Sequence, residues 1–546
     1  MSFAYLGRLR APRWALLTGL FVAVGCTSVA DDTTGATQSE NSGTGGTTGE
    51  DETTAADTGT STSTSDSATG TTSSGGESSG TSSDTDTDTD GGGADDGLPV
   101  YDDGCALDAP TTLQLNLPDG NSMTSPVQAR MAVLDGWGVF GELIVRPWEF
   151  LNYYPFNYPP AESGGVRLTA ELYADPNAPG AYDLQVGVSA AVIEAAARPP
   201  LDLTLVVDVS GSMKGLPLTM LRESGHVIAK SLREGDTISI VTWDPKAAPL
   251  LEHHIVKGPG DADVVAIFDA LEATGGTDLL GGLKAGYALA EAARDPERIN
   301  RVLLMSDGGA AADAQALDVI AAHAVDSGGE GIYLIGVGVG SYGGYQPALM
   351  DSVTDAGRGP SVFVGSTDEA QRAFGDGFLG LMVVGARDVR VQIILPPGFR
   401  REALEAFAPD DNPSPAVGQL LSINDALVYH ERLVTCAPEM ATLDAEVKVI
   451  VTYRRAADFE YDKFAEVTTL GELMAGDHPL LHKGAGILRY AEALRLWNLD
   501  PTASEIFGPV AMEAWERVLL ASKLSPNDTS LLEVKTVLEV ILKDAN

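Results

Sequence analysis

The sequence predicts an α/β protein: a doubly wound, mostly parallel sheet set between β-rich flanking segments, with a disordered N-terminal tether before them and a C-terminal helical region after them. Three observations predict it. From Leu203 onward, uncharged apolar runs alternate with helical patterns, the rhythm of βαβ units. On either side of that stretch the pattern shortens to the two-residue period of strands, as in VRLTAELYA and AEVKVIVTYRRA. Residues 31 to 97 are almost only Thr, Ser, Gly, Asp and Glu, with too few apolar side chains to offset the entropy of ordering.

The chain opens on Arg8, Arg10 and Arg13 and an apolar run from Trp14 to Gly25, the pattern of an export signal. That run is shorter than the roughly 18 to 20 residues a membrane span needs. Two processing sites compete. Ala23-Val24-Gly25-Cys26 resembles a bacterial lipobox, with Ala where Leu is usual. It makes residues 1–26 a lipoprotein-type signal ending at a lipidated Cys26. Ser28-Val29-Ala30 is a small-x-small site that would release a secreted protein instead. The expectation is a cell-envelope lipoprotein of the outer membrane, facing the periplasm or the cell surface, bound to the membrane through its N-terminal lipid. Residues 27–98 are then a Ser/Thr/Gly/Asp linker, with a coil span of roughly 45 to 50 Å.

The formal net charge is −42 over 546 residues. Residues 31 to 100 hold 15 Asp and Glu and no Lys or Arg, which leaves −27 on the remainder. So acidic a surface repels phosphate and excludes nucleic acid as a partner, while it favours solubility and attracts cations.

Short strand patterns mark residues 99–199 as a β-rich flank. The aromatic run at 153 to 158 is read as core rather than as a binding patch. Residues 200–382 form the α/β domain. LTLVVDV is its first strand, and the next helix has Pro217 in its first turn and Gly235 at its stop. TISIVTW follows, with LLEHHIV as an antiparallel edge and INRVLLMS, EGIYLIGVGVG and SVFVG as later strands. The glycines of GVGVG mark close packing, since the run lacks dinucleotide-motif spacing. Residues 383–456 return to strands, and 457–546 are helical. There Ile487, Ala491 and Leu494 share one face, Leu531, Val534, Leu538 and Ile541 another, and Ser530 with Glu533 has capping-box spacing.

The first α/β strand ends in Asp208, Ser210 and Ser212. Three oxygen side chains at the carboxyl end of a buried strand suit a hard cation, a phosphate or a nucleophile. Two further oxygens join them if the sheet is doubly wound: Thr277 in the Gly-rich ATGGTDLL, and Asp307 after the strand RVLLMS. In that order and strand context, Asp208-x-Ser210-x-Ser212, Thr277 and Asp307 resemble the metal-ion-dependent adhesion site of von Willebrand factor type A domains, which have a Rossmann-like fold. EFLNYYPFNYPP, RPPLDLTLVVDVSGSM, INRVLLMSDG and GVGVGSYGGYQPALMDSVTDAG are similar to bacterial YfbK-like proteins, so the likeness covers roughly residues 120 to 546. The resemblance implies that Ser210, Ser212 and Thr277 touch the cation while Asp208 and Asp307 hold its waters. Three neutral hydroxyls leave Mg2+ (or Mn2+) electron-poor, with a position open to a carboxylate of a protein or surface ligand; the larger Ca2+ fits a compact cage less well.

Two function classes follow: a metal-dependent binding protein, and a structural envelope component whose metal stabilises the fold. Neither is an enzyme. A phosphatase of the haloacid dehalogenase type needs a second Asp where Ser210 stands, and a serine hydrolase needs the G-x-S-x-G elbow that VSGSM lacks. His253 and His254 are adjacent on a strand, face opposite ways and read as ordinary histidines. If Cys26 is lipidated, Cys105 and Cys436 remain as an even pair in an oxidising compartment. They form a disulfide or, alternatively, stay as two buried thiols.

Overall fold

A computed structural model describes residues 106–115, 122–134, 143–162, 164–243, 248–326, 329–341, 343–402 and 418–545. The N-terminal flank contains β1 (Thr111–Leu115), α1 (Thr124–Leu134), α2 (Pro147–Tyr153), β2 (Arg167–Ala174) and β3 (Ala181–Ser189). It is thus less purely β than its sequence pattern. Most residues of both helices are buried, so neither shows the polar stripe by which a surface helix is recognised. Tyr153, Tyr154, Phe156 and Tyr158 are core residues.

The α/β domain follows. Its elements are β4 (Leu201–Asp208), α3 (Leu216–Ser231), β5 (Thr237–Trp243), β6 (Pro249–Ile255), α4 (Ala262–Ala270), α5 (Leu279–Ala293), β7 (Ile299–Ser306), α6 (Ala314–His323), β8 (Tyr333–Val339), α7 (Pro347–Gly357), β9 (Ser361–Val364), α8 (Thr367–Gln371) and α9 (Phe378–Met382). A π-helical turn, Arg372–Asp376, joins the last two.

The six strands run in the order β6-β5-β4-β7-β8-β9, parallel except for the antiparallel edge β6. Every residue of β4 and β7 is buried, as expected of strands covered on both faces. The alternation along β4 divides the helices. Val206 packs with α5, α6 and α7, whereas Leu203, Leu205 and Val207 pack with α3, α4 and α8. Close packing accounts for Gly338, since a Cβ there would lie 2.3 Å from the Tyr345 ring.

Past this domain come β10 (Val384–Leu395), β11 (Phe399–Arg401), β12 (Gln419–Ser422), β13 (Ala426–Thr435), β14 (Glu446–Arg455), β15 (Tyr461–Thr469), α10 (Leu470–Leu473), α11 (Pro479–Leu499), α12 (Ser504–Leu524) and α13 (Ser530–Asp544). Strand β15 carries the β-rich segment beyond residue 456, where the sequence pattern had it end. Most of β15 is solvent-exposed, so it lacks the apolar alternation of a half-buried strand.

Strands from before and after the α/β domain pair with one another. One sheet runs β1-β10-β14-β15, with β12 also on β10, and a second runs β11-β13-β3-β2. Leu184, Val186 and Val188 of β3 share a core with Val391 and Ile393 of β10 and Val447 and Val449 of β14, so the two sheets form a sandwich. The α/β domain is inserted into this composite unit. Glu330 ties the two together: it accepts a bidentate pair from Arg301 of β7, both bonds 3.0 Å, and a 2.5 Å bond from Arg387 of β10. At the domain entry the buried Asp236 carboxylate accepts from the Arg198 guanidinium and from the Leu201 amide.

The capping box expected at Ser530 is absent. Helix α13 is capped at Thr529 without a side-chain bond, and both box residues have other partners. Ser530 accepts from the buried Lys483 ammonium at 2.8 Å, and Glu533 accepts from Arg130 at 2.7 Å. A capping box does form at Thr469 and Glu472, at the start of α10.

Candidate metal centre

Parallel pairing of β4 with β7 sets Val207 beside Met305, so Asp208 and Ser306 end their strands side by side. Both oxygens of Asp208 are held. The Ser210 amide donates to Oδ1 at 2.8 Å and the Ser306 hydroxyl donates to Oδ2 at 2.7 Å. The chain then makes a 3-10 turn, Gly211–Met213, which turns Ser212 back over Ser210, their hydroxyl oxygens 3.0 Å apart. Asp307 follows directly on β7, and its Oδ1 accepts the Gly309 amide at 2.9 Å.

Burial pushes the Asp208 carboxyl up from its ordinary value. The Asp307 carboxylate adds to that push, and the bonds from Ser306 and Ser210 oppose it. Two buried acids at the ends of neighbouring strands call for a positive charge between them.

The loop bearing Thr277 is stitched to the one bearing Ser210. The Thr274 amide donates to the Val209 carbonyl at 2.9 Å and the Gly211 amide to the Gly275 carbonyl at 3.1 Å. Thr277 itself is exposed and stands just before Asp278, the N-cap of α5, whose carboxylate accepts the Gly281 amide at 2.9 Å. Asp208, Ser210 and Ser212 are therefore joined by hydrogen bonds, Asp307 follows the serine that bonds Asp208, and Thr277 lies on a loop anchored to that of Ser210.

The fit to a cation rests on the space between them. A Cβ built on Gly309 would lie 3.0 Å from Asp307 Oδ1 and 3.4 Å from Ser212 Oγ. Those two oxygens border a gap that a single methyl would crowd. The donors are hydroxyls and carboxylates, the oxygen set that hard divalent cations take.

Residues 201–363 match the von Willebrand factor type A domain. The chain carries a type A domain. Over 272 residues, 47% of its length, the chain is 28% identical to the uncharacterised protein YfbK of Escherichia coli K12, of which the match covers 46%. Over 143 residues it is 33% identical to the uncharacterised Synechocystis protein sll0103, covering 26% of this chain and 33% of that one. The chain spans less than half the length of either relative. Among solved structures, a von Willebrand factor type A protein from Catenulispora acidiphila is similar with a TM-score of 0.42 and 16% identity, covering 69% of this chain and 89% of that one.

Two residues that frame the site escaped the sequence reading, Ser306 and Gly309. The only trace they leave is the small polar and unbranched character of MSDGG. A second group, His254, Asp261 and Asp263, brings its ligand atoms within 4.8 Å of one another. Its contacts already account for it: Asp261 caps α4 and accepts from His254, Lys257 and Asp263, while Asp263 pairs with the Lys257 ammonium.

Cys436 is disulfide-bonded, and its partner lies outside the described residues, as do Cys26 and Cys105. The Cys436 amide donates to the Gly398 carbonyl, and the Gly398 amide donates to the carbonyl of Ala106, the residue after Cys105. Clefts of about 310 and 720 Å3 open at the amino ends of β4 and β7, the end opposite Asp208.

Proposed function

We propose that the chain is an envelope-anchored binding protein whose type A domain captures an acidic group of a partner through a divalent cation. The observation that carries this reading is the gap bordered by Ser212 and Asp307 beside the Asp208–Ser210 pair. Ser210, Ser212 and Thr277 would hold the ion directly, and Asp208 and Asp307 would hold its water shell and balance its charge. Mg2+ or Mn2+ suits so compact an oxygen set better than Ca2+, which prefers more ligands at longer distances. The cation supplies a coordination position that a carboxylate can fill.

Binding rather than catalysis is favoured because Asp208, the acid that a phosphatase would use as nucleophile, is buried with both oxygens bonded to Ser210 and Ser306. Anchoring is proposed through a lipid on Cys26. Among the described residues no helix is long and apolar enough to cross a membrane.

The test is capture of envelope proteins on the immobilised chain, with EDTA and then with Mg2+ restored, for wild type and Asp208→Ala. Capture should vanish with EDTA, return with Mg2+ and fail in the variant. Capture that survives both EDTA and the substitution contradicts the reading. If EDTA lowers only the melting temperature, the metal is a structural element instead.

A further inference from the structure

We infer that Ser306, outside the five-residue pattern, is a positioning residue that presets both carboxylates of the centre for the cation; the inference rests on the metal reading above. Ser306 ends β7 with no exposed surface, and its Oγ makes two bonds at once. It donates to Asp208 Oδ2 at 2.7 Å and accepts the Gly308 amide at 3.0 Å. The polarity is settled by inventory. An amide N–H only donates, so the single hydroxyl proton goes to Asp208, and that bond favours the carboxylate as acceptor.

Through the first bond Ser306 sets the oxygen of Asp208 that the Ser210 amide does not hold. The second bond shapes the turn that aims Asp307. Gly308 adopts a φ of +79°, and a Cβ there would lie 2.2 Å from the Gln346 carbonyl oxygen, so this turn is packed against the neighbouring loop with no slack. Gly309 then gives its amide to Asp307 Oδ1. One buried hydroxyl thus couples the end of β4 to the turn after β7, and the two acids cannot shift independently.

Groups that orient metal-binding side chains from behind typically change metal affinity by about 10- to 100-fold when removed. Ser306→Ala should weaken Mn2+ binding by that order, read by the electron paramagnetic resonance of free Mn2+. Ser306→Cys, which preserves volume but offers only a weak donor, should lose affinity similarly, and it serves if the alanine variant does not fold. Ser306→Thr, which keeps the hydroxyl, should bind as wild type does. Melting of the metal-free proteins is followed in parallel, because a merely structural serine would lower melting temperature without changing the affinity of the folded chain. Wild-type affinity in folded Ser306→Ala or Ser306→Cys overturns the inference and leaves the metal reading standing. A wild-type chain that takes up no Mn2+ overturns the metal reading and this inference with it.

Discussion

At Asp208 the carboxylate is buried and bonded on both oxygens, whereas Thr277 is exposed on a loop, so the two should fail differently. Asp208→Ala removes the nearest compensation for the cation, and tight metal binding should be lost. Thr277→Ala should weaken metal binding while the sheet, followed by circular dichroism, stays intact. Gly309→Ala offers a steric test, since a methyl would crowd Asp307 and Ser212. Metal affinity should fall with little change in metal-free melting, and unchanged affinity would mean the gap is not where the ion sits. Away from the centre, burial works against the ionised form of Asp261, but the amides of Lys257 and Asp263 and the His254 imidazole outweigh it and hold the carboxyl down at about 2. Its bonds as a carboxylate are fully present above the unfolded value near 4 and are lost as the pH falls towards 2. The melting temperature of Asp261→Asn, which keeps a capping side chain without the titration, should fall less steeply across that window than that of wild type; parallel curves would contradict this. Much of the centre was legible because Asp208-x-Ser210-x-Ser212 is local in sequence. Ser306 and Gly309 were not, because their importance lies in a strand pairing and in a missing Cβ that only the assembled loops reveal.

Among the elements, the five parallel strands of the type A domain were legible because each is buried on both faces and reads as an apolar run, whereas the edge strand β6 is mostly exposed. Helices α1 and α2 were not, being too buried to show amphipathic spacing. The false capping box at α13 has an energetic cause. A surface cap contributes about 1 kcal/mol, while the buried Lys483 ammonium must find acceptors or cost several times that. It takes the Pro155 carbonyl at 2.6 Å, Asp528 at 2.6 Å and Ser530 at 2.8 Å, so Ser530 serves Lys483 in place of the helix end. Lys483→Ala leaves Asp528 without its cation, held only by the Ser530 amide and hydroxyl, and should destabilise the chain by up to about 3 kcal/mol in urea unfolding, without affecting metal affinity. A loss below about 1 kcal/mol would show that water satisfies Asp528 equally well.

Across the whole molecule, the composite sandwich makes the two ends of the inserted domain meet in one unit, as the pairing of β1 with β10 and of β3 with β13 requires. The neighbourhood of Ala106, Gly398 and Cys436 leads us to propose Cys105 as the disulfide partner of Cys436. Closing so long a loop stabilises by up to about 4 to 5 kcal/mol in the chain-entropy model, and reduction should lower the unfolding midpoint accordingly. Two titratable thiols in the denatured, unreduced mature protein would contradict the pairing. That the flanks belong together was not readable from strand periodicity, which marks strands but not their partners. The centre itself depends on β4 and β7 being neighbours at the carboxyl end of the inserted sheet, so whether it takes up a cation is the decisive question. Mn2+ titrated into metal-free wild-type protein and Asp208→Ala, with free Mn2+ followed by electron paramagnetic resonance, decides it. The wild-type chain should take up one ion saturably and the folded variant none; equal uptake by both, or none by either, would contradict a metal centre at Asp208.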